Sequence, residues 1–438
     1  LINLSDTNTQ SLLSSASDVL RSISSQAVAA SILERLQMLN PTIASQFYAK
    51  AEAIAGLPLR MLTTPAPATA PEVDSFLVVS YCWHYPGWPL AEAATPIAEG
   101  WEVSRPMVDA VMSLRESKKE GVWLDKLCID QSSDQDKMSH IGAMDVVYRS
   151  ARRMVILLED VQLTPAEEAA GLAYAKFYED MGKGITGLEG AARSKFFNEY
   201  FPSREKAARD AGQGQVLEAG HAFTMKLLGA RWYSRAWCAH EARITPHKKI
   251  NNPLFLCFGA DGRVLTFEFR VIHYVAMYLS EQEPQVDLTS ENALRDALND
   301  PNPKTLRQRW WRIQRLMPDG GDNISAMQHL ISILSFGCFM KGDLMSIALN
   351  TSGIPLFFMG DAVKEVEDVI WIFSLLVIAA GDIVPLATMG PRLKVPDGHG
   401  NETISWMTRP MQGAIDDKMS TPRLDSISAV TKDYVELD

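Results

Sequence analysis

The chain has 438 residues, 47% of them hydrophobic, 22% charged and 8% aromatic. That much apolar material builds a sizeable core, excludes a disordered chain and leaves room for about three domains. Forty-two basic against 53 acidic side chains give a formal charge of −11, which argues against a nucleic-acid coat or a binder of anionic membranes.

Residues 5–56 carry apolar side chains at helical spacing, among them Leu12, Leu13, Val19, Leu20, Ile23, Val28, Ile32 and Leu36. They predict two or three amphipathic helices with little chemistry in a segment 1–62. A Pro/Ala/Thr stretch marks 63–73 as a linker. The character changes at Ser75. Ser75–Cys82 is a near-continuous apolar run, as a strand covered on both faces requires. Val122–Ile129 and Met154–Leu158 repeat it, and Met138, Ile141, Met144, Val147 and Tyr148 fall on one helical face between them. The alternation predicts an α/β fold with a parallel sheet. Ligands of such sheets sit beyond the carboxyl ends of the strands, here Ser80–His84 and Cys128–Gln131.

Residues 161–230 read as a charged helical insertion in a domain spanning 74–270. Pro253–Phe258 and Val264–Phe269, around Ala-Asp-Gly-Arg, predict a hairpin. From Val271 to 438 the pattern is mainly helical. The greasiest stretch, Val369–Gly381, would span about 20 Å as a helix, short of a bilayer's roughly 30 Å, and is expected to be buried. The first residues, Leu-Ile-Asn-Leu-Ser-Asp-Thr, lack a secretory pattern. The five cysteines (Cys82, Cys128, Cys238, Cys257, Cys338) are far apart with no CxxC pair, so a reducing cytoplasm is expected rather than a disulfide framework.

Several motif matches fail on context. Gly182-Lys-Gly-Ile-Thr-Gly187 fits a dinucleotide fingerprint but follows a helical segment where a strand is needed. His240-Glu241 begins like a zinc-protease motif, yet Ile244 stands where the second ligand must return, so no metal is expected. Arg307, Arg309, Arg312 and Arg315 surround Trp310 and Trp311. They could grip a single strand of nucleic acid, but Leu306, Trp310, Ile313 and Met317 form a helical stripe, and the bland reading is an amphipathic helix with a solvated basic face.

Four phrases occur together and in order: Ser80-Tyr-Cys-Trp-His84; Trp123-Leu-Asp-Lys-Leu-Cys-Ile-Asp-Gln131; Met144-Asp-Val-Val-Tyr148 with Ala151; and Arg231-Trp-Tyr-Ser-Arg-Ala-Trp-Cys-Ala-His-Glu241. This set resembles the fungal heterokaryon-incompatibility (HET) domain family over roughly residues 74–245. That family's phrases look like S-Y-x-W-G, W-I-D-x-L-C-I-[ND]-Q, M-x-x-I-Y-x-x-A and W-x-x-R-x-W-x-x-x-E. His84 departs from the usual Gly, and His240 from a common Gln.

HET domains are distant relatives of the Toll/interleukin-1 receptor (TIR) fold, so the resemblance implies a TIR/flavodoxin-like parallel sheet with helical flanks. Within TIR domains that cleave NAD, a Glu in an S-x-W-C-x-x-E phrase is catalytic; Ser234 to Glu241 is similar to it and places Glu241 at that position. Cleavage of the ribosyl–nicotinamide bond passes through an oxocarbenium-like state that one carboxylate can stabilise. Trp83 or Tyr81 could stack on a ring, while Asp125, Asp130 and Gln131 could hold ribose hydroxyls. Ser80 and Trp237 complete the candidate substrate-binding set.

The same residues have structural readings: Glu241 as an ion-pair partner of Arg235 or Arg243, Asp125 as a cap or ion-pair partner, and Trp123 and Trp237 as core. The functional expectation is self/non-self recognition or cell-death signalling, with NAD as a possible substrate and no cofactor. The alternatives are a non-enzymatic module that self-associates through the HET domain, or a small-molecule enzyme of secondary metabolism. In the latter the C-terminal region would wall off a pocket over the strand ends.

Overall fold

The structure, a computed structural model, describes residues 1–14, 26–63, 72–84, 88–97, 103–184, 189–212, 214–244, 252–283, 304–316, 325–334, 336–360, 363–387, 391–396, 402–408, 427–430 and 435–437. Most of the expected linker, Val19, Leu20 and Ile23, Met317, and the end of the 182–187 glycine phrase lie outside the described residues.

A five-stranded sheet organises the chain. Its strands are β1 (Ser75–Tyr81), β2 (Glu120–Trp123), β3 (Arg153–Gln162), β4 (Leu254–Phe258) and β5 (Val264–Glu268), in the order β2-β1-β3-β4-β5. The first four are parallel, and β5 returns antiparallel to β4. Val78 sits at the centre, paired with Trp123 on one side and Met154 on the other. The β4–β5 turn contains Gly262 at φ +81, a left-handed conformation that glycine adopts without steric cost. The hairpin prediction therefore holds.

The first four strands are covered on both faces, which is why their sequences do not alternate with polar residues, whereas the edge strand β5 alternates buried Leu265 and Phe267 with exposed Thr266 and Glu268. Phe76, Val78 and Cys82 point to one core with Trp123, Met154, Ile156 and Phe255. Leu77, Val79 and Tyr81 point to the other, where Met107 and Val111 of the helix Arg105–Ser113 cover them. Ser80 belongs to the first face. A hydroxyl buried in that setting needs partners, and its partners define the site below.

One expectation is corrected. The second strand ends at Trp123 instead of running to Ile129. Asp125–Cys128 is a helical turn, fixed by Lys126 N donating to Asp125 Oδ1 (2.6 Å) and Leu124 N donating to Cys128 Sγ (3.3 Å). An apolar run cannot by itself distinguish a strand from a turn of helix. The C-terminal region adds two strand pairs to its helices: Arg392–Pro396 pairs with Glu402–Thr408, and Ile427–Val430 with Val435–Leu437.

The segment between β3 and β4 is helical, with helices Pro165–Gly184, Gly190–Asp210, Gly214–Glu218, Gly220–Leu228 and Ala236–Ile244. Glu168 ties it to the hairpin by accepting from Ala260 N (2.9 Å) and from Arg263. Val366–Ala379 is the buried helix expected, with ten of its fourteen residues inside. No helix among the described residues is long and apolar enough to cross a membrane.

The N-terminal segment is woven into the rest. Leu62 bridges Val122, and Phe47–Ala49 pairs with Leu356–Phe358. Lys50, 1% exposed, donates to Asp145 Oδ1 and Asn350 Oδ1, both at 2.7 Å. One buried ammonium thus joins three parts of the sequence, so the N-terminal segment has more chemistry than its helical pattern suggests.

Candidate functional site

Strand β1 and the helix Ala236–Ile244 pack against each other, with Ser80 and Glu241 at the contact. The Ser80 hydroxyl donates to Glu241 Oε2 and accepts from Trp232 Nε1 (2.6 Å). Tyr148, from the helix Met144–Ser150, supplies a further hydrogen bond to the carboxyl. Glu241 is 8% exposed and Ser80 1%. Burial pushes the Glu241 carboxyl up to about 8; the Ser80 and Tyr148 bonds oppose the rise, and the nearby Asp125 charge adds to it. At neutral pH the carboxyl is therefore mostly protonated. Its immediate partners are Ser80 and Tyr148, with Arg235 contributing a nearby positive charge.

Asp125 starts the turn that follows β2 and forms a second group. It accepts from Trp83 Nε1 (2.9 Å) and is supported by the Tyr81 hydroxyl, while burial raises its carboxyl. The Lys126 ammonium lies 4.3 Å from the Trp83 ring centroid. One face of that indole therefore already carries a cation. Gln131 donates to the Asp125 carbonyl (3.4 Å). Asp130 is exposed, and its carboxylate closes its own turn by accepting from Ser132 N (3.0 Å) and Ser132 Oγ (2.6 Å). Trp237 is partly buried and donates to Asp343 Oδ2 (2.9 Å) in the helix Lys341–Ser352.

The structure thus gathers Ser80 with Glu241, and Tyr81 and Trp83 with Asp125, the two groups linked by the influence of Asp125 on Glu241. Trp237 reaches the C-terminal region, whose Gly337 also bonds Ser234 and Ala236 (2.7 and 3.0 Å). That region therefore packs on the helix that carries Glu241. Sequence reasoning quoted Tyr148 and Trp232 inside their phrases without assigning them to the site. An aromatic donor that approaches a buried acid from another element leaves no spacing rule in the sequence. His240 is fully buried between Trp237 and Tyr148, at ring centroid distances of 5.4 and 6.5 Å, and burial drives its pKa well below the usual value.

The loop after β1 is held down at β3. Glu159 accepts from Ser104 N (2.7 Å) and lies 2.6 Å from His84 Nε2, and its carbonyl accepts from Ala91 N (2.8 Å). These contacts lie near the β1/β3 junction. There the strand order reverses direction, which is where open α/β sheets place their ligands.

The Arg307–Arg315 cluster lies on the helix Leu306–Leu316. Arg307 Nη2 donates to the Ser280 and Glu283 carbonyls (2.9 and 2.7 Å), and Arg309 Nη1 to that of Met225 (2.9 Å). These two arginines are structural ties where a solvated face was expected.

No curated protein and no solved structure matches the chain. Residues 76–241 match the family described as Heterokaryon incompatibility protein (HET), a match that begins in β1 and ends on Glu241. With the four phrases assembled on one sheet and one acid, residues 76–241 are a heterokaryon-incompatibility (HET) domain.

Proposed function

We propose that this chain is a cytoplasmic fungal HET-domain protein of self/non-self recognition or cell-death signalling that cleaves NAD to nicotinamide, with Glu241 as the catalytic carboxylate. The carrying observation is the Glu241 carboxyl itself, buried beside the end of β1, bonded to Ser80 and Tyr148 and raised to about 8. The strand order 2-1-3-4-5 supports the TIR/flavodoxin-like reading; the antiparallel β5 is a departure from an all-parallel sheet.

The chemistry asks little of a general acid. Nicotinamide leaves as a neutral ring, and positive charge grows on the anomeric carbon. A carboxylate stabilises that charge, and in a site excluded from water it does so strongly. The substrate's pyridinium is cationic, so its arrival favours the ionised form of Glu241. Ser80 and Tyr148 donate to that form and orient it. Tyr81, Trp83, Asp125, Asp130, Gln131 and Trp237 remain candidate contacts for the rest of the nucleotide.

The test is incubation of the full chain with NAD, with Glu241→Gln as control. Nicotinamide release that falls by about 100-fold or more in the variant is the expected result. NAD left intact by a chain that self-associates would instead favour a non-enzymatic assembly module acting through the HET domain.

A further inference from the structure

Ser80 and Cys82 lie two residues apart on one face of β1 and its end, and Cys238 and Glu241 lie three apart on one side of a helix. The strand's period of two and the helix's period near three and a half bring the four side chains into two rungs. Ser80 meets Glu241, and the Cys82 and Cys238 thiols meet in a hydrogen bond. The Arg235 guanidinium also bonds Cys82.

We propose that Cys82 and Cys238 form a reversible disulfide under peroxide, a modification site that pins the end of β1 to the Glu241 helix. Cys82, 7% exposed against 1% for Cys238, is the sulfur that oxidant meets first. Its thiol lies below its ordinary pKa, chiefly through the Cys238 hydrogen bond and further through the Arg235 charge, while burial opposes; Cys238 is pushed up by its own burial. The more exposed Cys82 is therefore the attacking sulfur and the enclosed Cys238 the resolving one.

The Cys82 thiolate attacks one peroxide oxygen. The O–O bond breaks, hydroxide leaves and takes a proton to become water, and Cys82 becomes a sulfenic acid. Cys238 then loses its proton and its sulfur attacks the Cys82 sulfur. The S–O bond breaks, and the departing hydroxide with that proton makes a second water. Two thiols and one hydrogen peroxide give one disulfide and two waters, and a thiol reductant reverses the bond.

Three other cysteines serve as internal controls. Burial pushes the thiols of Cys128, Cys257 and Cys338 up to about 12. The full chain is titrated with hydrogen peroxide, alkylated, digested and read by mass spectrometry. A Cys82–Cys238 cross-linked peptide, removed by dithiothreitol, is expected at about tenfold less peroxide than oxidation of Cys128 or Cys257 requires. In Cys238→Ser, a sulfenic acid on Cys82 is expected to persist and to be captured by a dimedone-type nucleophile. Cys82 and Cys238 both still free after the other cysteines have oxidised, or a bridge to a different cysteine, would overturn the assignment. The wild-type cross-link stands as a test even if the variant fails to fold.

Discussion

Glu241 lies buried where its helix meets β1, with Ser80 and Tyr148 bonded to its carboxyl. A carboxyl raised to about 8 in the folded chain, against roughly 4.3 when unfolded, binds its proton more tightly in the native state. Stability from this group is therefore fully present below about pH 4 and is lost as pH rises through about 8. Glu241→Gln removes that slope. In denaturant unfolding the variant should gain on wild type with rising pH, by on the order of 5 kcal/mol between pH 4 and pH 9. A difference that stays constant from pH 5 to 9 would mean that Glu241 is ionised throughout. The position of Glu241 was legible from its phrase. Its partners were not, because Ser80 and Tyr148 approach from separate elements and Trp232 acts through the Ser80 hydroxyl. Asp130 shows the opposite case: it is prominent in its phrase, yet its carboxylate is engaged in its own turn.

At the scale of elements, the sheet was legible where the pattern was long and apolar. The runs at Ser75 and Met154 became β1 and β3, and the Ala-Asp-Gly-Arg signal became the β4–β5 turn. The run at Val122 misled because its apolar residues serve two purposes. Val122 and Trp123 lie in a strand, whereas Cys128 closes a helical turn by accepting from Leu124 N. Met138 to Tyr148 likewise divides into Asp134–Gly142 and Met144–Ser150, with Ala143 between them. This break presents Tyr148 from a helix distinct from the one that carries His140. The helix Ala236–Ile244 has the clearest division of labour: Trp237 reaches Asp343, His240 fills the core, and Cys238 and Glu241 face β1.

At the scale of the whole molecule, the three regions that composition suggested share buried contacts. Lys50, Asp145 and Asn350 come from the N-terminal segment, the HET domain and the C-terminal region, and they meet in direct hydrogen bonds. Burial lowers the Lys50 pKa, and the Asp145 charge and hydrogen bond oppose that loss. Lys50→Ala leaves a carboxylate inside without its partner and should cost about 3–5 kcal/mol in urea unfolding. Lys50→Met combined with Asp145→Leu should cost far less than the sum of the single changes, since no lone charge remains. A loss under about 1 kcal/mol for Lys50→Ala would show that the tie is dispensable.

The proposed NAD cleavage depends on an acid at the end of β1 whose ionisation governs the chemistry. The pH profile of kcat/KM for nicotinamide release tests this most directly, because it reports the free protein's essential groups. Wild-type activity is expected to climb as pH rises through about 8, and Glu241→Gln to remove both the climb and the activity. A wild-type profile flat from pH 6 to 9, or the same climb in Glu241→Gln, would contradict that expectation.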